Sequence, residues 1–292
     1  FKMKLLDTKL KNKVLQSMIK ILDRDRKIII GANKKDLDLF DKDDRAMYDR
    51  LIMDDKKVDS MITSVKEVMS QEDPIGKIKS SKTLENGLEI INKTAPFGTI
   101  MIIYESRPDV TIEAAVLAFK ANNKILLKGG KEALHSNKAL VASWHEALEE
   151  NGLNRGWIQL LTMDRAGTQV FLKNPTEKLD LIVPRGGDKL ISFVKEHAKC
   201  AVLVSGRGNN FLYVDKNADW DKTIKVILNA KTQKISACNA LDKILINEEL
   251  PNYGERVKDL GNLLKEKEVT LLVDTKTKEV LPNENIIENE AV

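Results

Sequence analysis

The stretch Gly98-Thr-Ile-Met-Ile-Ile-Tyr104 decides the fold, because it is a nearly unbroken apolar run of strand length with a β-branched bias. Such a run predicts a strand that is covered on both faces, as in parallel sheets. Predicted helices and strands then alternate. The helices are expected over 110–121, 136–150, 166–173, 188–197 and 219–230, and the strands over 124–127, 157–161, 179–183, 201–204 and 211–214. This alternation favours an α/β fold with right-handed crossovers.

The regions on either side of this alternation have a different pattern of apolar and charged residues. An apolar residue recurs every fourth position over 10–22, which predicts an N-terminal packing helix. The charge-dense segment 36–68 is interpreted as surface helices. Strands predicted at 243–246 and 269–273 enclose a further helix, so the last fifth of the chain resembles the beginning of a second α/β unit.

Composition excludes several classes of protein. The 292 residues are 32% charged and 42% apolar, which is typical of a globular chain. The net charge is only +4 and both signs are interleaved, so duplex nucleic acid is a poor candidate partner. The 2 cysteines cannot form a disulfide scaffold, the 3 histidines show no zinc spacing, and no metal is expected. No apolar run approaches the ~20 residues of a membrane span, and we expect a cytoplasmic location.

Glycine-rich junctions follow three of the predicted strands. They are Lys128-Gly129-Gly130-Lys131, Pro184-Arg185-Gly186-Gly187 and Ser205-Gly206-Arg207-Gly208-Asn209. In α/β sheets, ligands bind beyond the carboxyl ends of strands, where glycines let backbone amides approach a phosphate. The set therefore indicates a nucleotide or phosphorylated ligand. A single Gly-Gly turn is more often structural, and that alternative stays open for each junction.

A fourth junction, Tyr104-Glu105-Ser106-Arg107-Pro108-Asp109, combines a cation, a hydroxyl and two carboxylates. This set could bind an amino-acid head group and an anion. The alternative is a capped turn, since Pro108 suits the first turn of a helix and Asp109 complements its dipole.

Cys238 lies among small and polar neighbours, and Lys231 and Lys234 could favour its thiolate. A nucleophile needs such surroundings, although a lone cysteine is more often a small buried hydrophobe. Cys200 leads into an apolar strand and is interpreted as a core residue.

Four motifs in order resemble the γ-glutamyl phosphate reductases, a family within the aldehyde dehydrogenase superfamily. The motifs are Tyr104-Glu-Ser-Arg-Pro-Asp-Val110, Lys128-Gly-Gly-Lys-Glu-Ala133 with Ser136-Asn137, Leu181-Ile-Val-Pro-Arg-Gly-Gly187, and Asn229-Ala-Lys-Thr-Gln233 with Cys238-Asn-Ala240. The resemblance extends from the first helix, through Ala32-Asn-Lys-Lys-Asp-Leu37, to about Pro282. It implies a Rossmann-type parallel-sheet cofactor domain over 1–235 and an incomplete second α/β catalytic domain over 236–292.

The resemblance also implies an activity of proline biosynthesis. NADPH would reduce L-glutamyl 5-phosphate to L-glutamate 5-semialdehyde with release of phosphate, through a thioester on Cys238. Arg107 would steady the oxyanion or the departing phosphate. The implied cofactor-binding residues are Lys128, Gly129, Gly130, Lys131, Arg185, Gly186, Gly187, Gly206 and Gly208. The weaker substrate contacts are Glu105, Ser106 and Asn239.

Lys128 would meet the adenosine ribose, and Lys131 would suit the 2′-phosphate of NADP. The resemblance further implies a homo-oligomer, with glutamate 5-kinase as a candidate partner.

Departures from the family pattern leave two alternatives. Val204 stands where most relatives carry an acidic residue, which disfavours oxidation of an unrelated aldehyde to an acid. Relatives also continue well past the end of this chain, through the rest of the catalytic domain. A truncated fragment that binds nucleotide without turnover is therefore the second interpretation.

Overall fold

A computed structural model of the chain describes residues 5–41, 45–204, 208–235, 237, 239–281 and 286–288. The chain divides into two compact units, residues 1–205 and residues 206–292. The domain boundary expected at 235/236 lies inside the second unit. The assignment of cofactor binding to 1–235 stays a prediction, because compactness does not report where a ligand binds. Within the described ranges, no helix is long and apolar enough to cross a bilayer.

The first unit opens with helices. They are α1 (Thr8–Arg24), α2 (Arg26–Leu39), α3 (Arg45–Leu51) and α4 (Asp55–Ser70). The helix predicted at 10–22 is confirmed as α1, and the Asp7 side chain caps its first turn by accepting from Leu10 N. Helix α4 is not a pure surface helix, since it buries Val58, Met61 and Val65 in the core.

An antiparallel hairpin follows, formed by β1 (Ile78–Thr83) and β2 (Glu89–Lys93). The residues of both strands are exposed along their whole length. This hairpin is missing from the sequence prediction, because exposure on both faces leaves no apolar alternation to read. The available signal is the turn at Asn86 and Gly87, where Gly87 has φ 84°.

The alternation predicted after residue 98 is confirmed. Its elements are β3 (Thr99–Ile103), α5 (Asp109–Lys120), β4 (Lys124–Lys128), α6 (Leu134–Glu150), β5 (Ile158–Leu160), α7 (Arg165–Lys173), β6 (Leu181–Pro184), α8 (Asp188–His197) and β7 (Ala201–Val202). The strands form one five-stranded sheet in the order β5-β4-β3-β6-β7, and every pair is parallel. The chain reverses its direction of winding between β3 and β6, which is the place where such sheets open a ligand crevice.

Strand β3 is covered on both faces, as its apolar run predicts. Ile102 and Tyr104 pack into the cluster formed with α1, α4, α5 and α6. Met101 and Ile103 pack on the opposite side, in the cluster that includes α7 and α8 residues. Successive side chains of a strand point to opposite faces, so one short run anchors both layers.

The second unit contains a β-α-β arrangement, β8 (Phe211–Val214), α9 (Trp220–Thr232) and β9 (Lys243–Ile246). Strands β8 and β9 pair in parallel. Helix α10 (Tyr253–Glu266), β10 (Leu271–Val273), α11 (Thr275–Val280) and β11 (Ile286–Glu288) follow, and β10 pairs in parallel with β11. The strands predicted at 243–246 and 269–273 and the helix between them are confirmed as β9, β10 and α10.

Candidate active site

The carboxyl ends of β3, β4 and β6 lie side by side. In the sheet register, Ile103 is opposite both Lys128 and Pro184. The alignment continues past the strands, because Tyr104 N donates to Lys128 O at 3.0 Å and Arg185 N donates to Ile103 O at 2.7 Å. We call the loops 104–108, 128–131 and 185–187 the site edge. The structure thus brings together three of the four predicted junctions.

The loop after β3 is held in an unusual conformation at Ser106. This residue has φ 38°, in the left-handed region, and is only 2% exposed. Its backbone N and its hydroxyl donate to the same Glu132 oxygen, Oε1, at 2.7 and 2.9 Å. The hydroxyl of Ser106, a predicted substrate contact, is therefore engaged by Glu132.

Arg107 and Glu105 lie on either side of Ser106. The Arg107 guanidinium donates to Asp109 Oδ2 at 3.0 Å, and the Arg107 side chain is 39% exposed. Asp109 stands in the first turn of α5, as the capped-turn interpretation expects. Glu105 is exposed. Pro108 is the N-cap residue of α5 and no side-chain capping bond is formed there, so Asp109 is the part of the capped-turn interpretation that the structure shows. The loop also presents the Arg107 cation to solvent.

The glycines of the loop after β4 are packed against side chains. A Cβ at Gly129 would overlap the Asn137 amide and lie 3.2 Å from the Tyr104 ring. Asn137 is fixed in turn, since Thr111 Oγ1 donates to its Oδ1 at 2.8 Å and lies 2.7 Å from the Tyr104 hydroxyl. Burial raises the pKa of Tyr104, so this hydroxyl stays protonated.

Two lysines flank these glycines and differ in burial. Lys128 is half-buried and donates to Gly129 O at 2.8 Å. Burial lowers the pKa of its ammonium group, and the carboxylates of Glu132 and Asp164 oppose that shift. Lys131 is exposed and begins a short 3-10 turn, Lys131–Ala133, which leads into α6.

The beginning of α6 is held by the N-terminal helices. Asp36 of α2 accepts from His135 N at 2.9 Å and from Ser136 N at 2.7 Å, although it lies about a hundred positions earlier. Asn33 donates to Ser136 Oγ at 3.1 Å. Both Asp36 and Asn33 are buried. The motif over 32–37 therefore caps the helix that follows the 128–131 loop.

The loop after β6 is open. Arg185 is exposed, and Gly187 is the N-cap of α8 with φ −67° and ψ 162°. Nothing lies within 4 Å of a Cβ placed on Gly187. A Cβ on Gly186 would lie 2.9 Å from Leu190 Cδ2 and 3.0 Å from Glu105 Oε1. The loops after β3 and β6 therefore approach each other, and the amino end of α8 is accessible to an anion.

The glycine-rich junction over 205–209 and the segment around the predicted nucleophile are described only in part. Cys238 and Gly206 lie outside the described residues. Gly208 and Asn239 are described, and both are exposed. Beside them, Asn210 Nδ2 donates to Ala240 O at 3.0 Å. The roles predicted for all four stay predictions.

Cys200, interpreted as a core residue, is partly buried against the cluster around Met101 and Leu126. Burial, reinforced by the Asp180 carboxylate, raises the pKa of its thiol, which suits a packing residue better than a nucleophile. Among the described residues, no group of three His, Cys, Asp or Glu side chains is placed to hold a metal ion.

The fold and the site edge agree with the protein family that the sequence comparison identifies. The sequence matches the aldehyde dehydrogenase family over residues 8–277, and the chain belongs to that family. It is 38% identical over 278 residues to the gamma-glutamyl phosphate reductase of Thermotoga maritima, an alignment that covers 94% of this chain and 66% of the relative. It is 35% identical over 285 residues to the protein of that name from Leptospira interrogans, covering 96% of this chain and 67% of the relative.

A crystal structure of the gamma-glutamyl phosphate reductase from Thermotoga maritima is similar to the chain, with a TM-score of 0.85 and 36% identity. The match covers 98% of this chain and 72% of that one. The resemblance stated from the four motifs is therefore confirmed at the level of the family. The chain spans about two thirds of the length of the curated relatives it matches.

Proposed function

We propose that the chain acts in the NADPH-dependent reduction of L-glutamyl 5-phosphate to L-glutamate 5-semialdehyde, with release of phosphate, a step of proline biosynthesis. The observation that carries the proposal is its 38% identity to a gamma-glutamyl phosphate reductase over 94% of the chain. The site edge supports it, because three of the four motifs that carry the resemblance converge there.

The site edge fits a nicotinamide dinucleotide. The amino end of α8 is open at Gly187 and would hold the pyrophosphate, with the exposed cation of Arg185 beside it. Lys128 would bind the adenosine ribose. The exposed Lys131 would pair with the 2′-phosphate that distinguishes NADP from NAD. When bound, the reduced cofactor supplies a hydride.

The chemistry requires a nucleophile, and we assign this role to Cys238. Its thiolate attacks the carbonyl carbon of the acyl phosphate, the bond from that carbon to the phosphate oxygen breaks, and phosphate leaves. The resulting thioester is reduced to a thiohemiacetal, which collapses to the aldehyde and returns the thiolate. Thiolates suit both steps because they attack carbonyl carbon well and also leave well.

Arg107 would stabilise the charge that develops at the carbonyl oxygen or on the departing phosphate. A guanidinium forms paired, charge-assisted hydrogen bonds with such anions. Glu105, Ser106 and Asn239 are proposed as weaker substrate contacts. The hydroxyl of Ser106 would contribute as an acceptor, because its proton is donated to Glu132.

A homo-oligomer is proposed as the working assembly, and the exposed hairpin of β1 and β2 offers an available surface. Glutamate 5-kinase as a partner and a cytoplasmic location stay predictions.

The test is phosphate-dependent reduction of NADP with the cyclised form of glutamate 5-semialdehyde as substrate, followed by the absorbance of NADPH. Intact mass is recorded on the same sample. We expect turnover that requires phosphate and is abolished in Cys238→Ala. NADPH binding without turnover would select the non-catalytic fragment instead. Full activity of Cys238→Ala would refute the nucleophile.

A further inference from the structure

The Glu132 side chain turns back over Gly130 and reaches the neighbouring loop. Its Oε1 accepts from Ser106 N at 2.7 Å and from Ser106 Oγ at 2.9 Å. Glu132 follows β4, whereas Ser106 follows β3, so a single carboxylate oxygen joins two loops of the site edge. We call this arrangement the Glu132 clamp.

The clamp stabilises a conformation that the chain would otherwise avoid. Ser106 is buried and has φ 38°, which is uncommon for a residue with a side chain. Loss of the Glu132 carboxylate would leave the Ser106 amide and hydroxyl without this acceptor, and buried polar groups need partners. A charged acceptor also makes stronger hydrogen bonds than a neutral one.

Gly130 makes room for the clamp. A Cβ at this position would overlap the Glu132 carboxylate. A glycine is required at 129 for a different reason, because a Cβ there would overlap the Asn137 amide. The two adjacent glycines are therefore required by two different internal contacts, and Gly130 is required by the clamp.

The two clamped loops differ in their other supports. The 128–131 loop is also held by the packing of Gly129 on Asn137 and by the Asp36 cap on α6. The 104–108 loop is held at one end by the bond from Tyr104 N to Lys128 O and at the other by the Arg107–Asp109 ion pair, and the Glu132 bonds hold Ser106 between them. Removing Glu132 should therefore release the 104–108 loop more than the 128–131 loop.

We propose that Glu132 is a positioning residue, which fixes the turn that presents Glu105 and Arg107 at the site edge. The inference rests on the proposed function and commits to the second of the two roles proposed there for Arg107, contact with the phosphate. It predicts that loss of the clamp impairs the handling of phosphate while cofactor binding is largely kept.

Proteolysis tests the clamp without turnover. A glutamate-specific protease cleaves after the exposed Glu105, and its rate follows the population of the released loop. We expect Glu132→Ala to be cleaved there roughly tenfold faster than the parent chain, with fragments identified by mass. The matched control is Glu150→Ala, which removes an exposed carboxylate at the far end of α6 and should leave the rate unchanged.

Two further variants keep the test decisive. Glu132→Gln retains a side-chain oxygen of the same reach, so it should be cleaved at an intermediate rate and should fold even if Glu132→Ala does not. Ser106→Ala should also be intermediate, and its addition to Glu132→Ala should add little, because the two side chains act through one contact. Parent-like cleavage of both folded Glu132 variants would overturn the proposal.

The kinetic readout separates positioning from general damage. In the phosphate-dependent assay, Glu132→Ala should raise the KM for phosphate roughly tenfold and the KM for NADP less than about threefold. An equal rise in both KM values would contradict the prediction that loss of the clamp impairs phosphate handling more than cofactor binding. If the parent chain shows no turnover, the proposed function fails, and the proteolysis still decides whether the clamp holds the loop.

Discussion

The site edge contains two Gly-Gly pairs that look alike in sequence and differ in structure. At Gly129 and Gly130, an added Cβ would overlap the Asn137 amide or the Glu132 carboxylate. At Gly187 an added Cβ would meet nothing within 4 Å. Both glycines of the first pair are thus required by internal packing. In the second pair only Gly186 is crowded, by Leu190 and Glu105, and Gly187 leaves the amino end of α8 open. The comparison teaches that the open turn is the better candidate for a phosphate site.

The largest effect is expected from Gly129→Ala. The new methyl group would collide with the buried Asn137 side chain and crowd Tyr104, so the free energy of unfolding should fall by about 2–3 kcal/mol. Urea denaturation measures the change. The matched control is Gly31→Ala in the interior of α2, where an added Cβ has open space. This control should be neutral or slightly stabilising. If Gly129→Ala is as stable as the control, the packing account of this pair is wrong.

A smaller loss of about 2 kcal/mol is expected from Asp36→Ala. This substitution removes the carboxylate that accepts from His135 N and Ser136 N at the beginning of α6. The exposed Asp38 of the same helix provides the control, since Asp38→Ala removes equal charge without touching α6. Hydrogen exchange should increase at the first turn of α6 in Asp36→Ala alone. Unchanged exchange there would show that α6 does not depend on this cap.

The smallest change in stability, with the opposite sign, is expected from Gly187→Asp. A carboxylate at the N-cap of α8 should stabilise the chain by about 0.5–1 kcal/mol, because it caps the helix and complements its dipole. The same charge should weaken NADPH binding roughly tenfold or more by repelling the pyrophosphate. Thermal denaturation and NADPH fluorescence titration measure the two effects.

The control for this pair of effects is Gly187→Ala, which fills the same open space without charge. It should bind NADPH much more tightly than Gly187→Asp. Equal binding by both variants would mean that the open turn is not an anion site.

Much of the fold could be predicted because buried helix and strand faces produce a periodic pattern of apolar residues in the sequence. The apolar run of β3 and the alternation that follows it are confirmed within a few residues. The hairpin of β1 and β2 could not be predicted from periodicity, because its exposed strands lack an apolar face. Ligands were expected beyond the carboxyl ends of the strands, and the register of Ile103, Lys128 and Pro184 aligns three of the junctions at that edge.

The contacts inside the site edge were beyond sequence reasoning. In the sequence, Glu132 is indistinguishable from an ordinary solvent-facing charge after a glycine turn. Only the folded loop brings its carboxylate to Ser106. Asp36 caps α6 from about a hundred positions away, a separation at which no local pattern reports pairing. Such contacts depend on side-chain directions that the fold sets after the backbone is arranged.

The central claim is that the site edge binds a nicotinamide dinucleotide, and hydrogen exchange with and without saturating NADPH tests it most directly. The account predicts slower exchange in peptides that cover 104–109 and 185–190, and no change in the hairpin over 78–93. Saturable binding without protection at the site edge would contradict it.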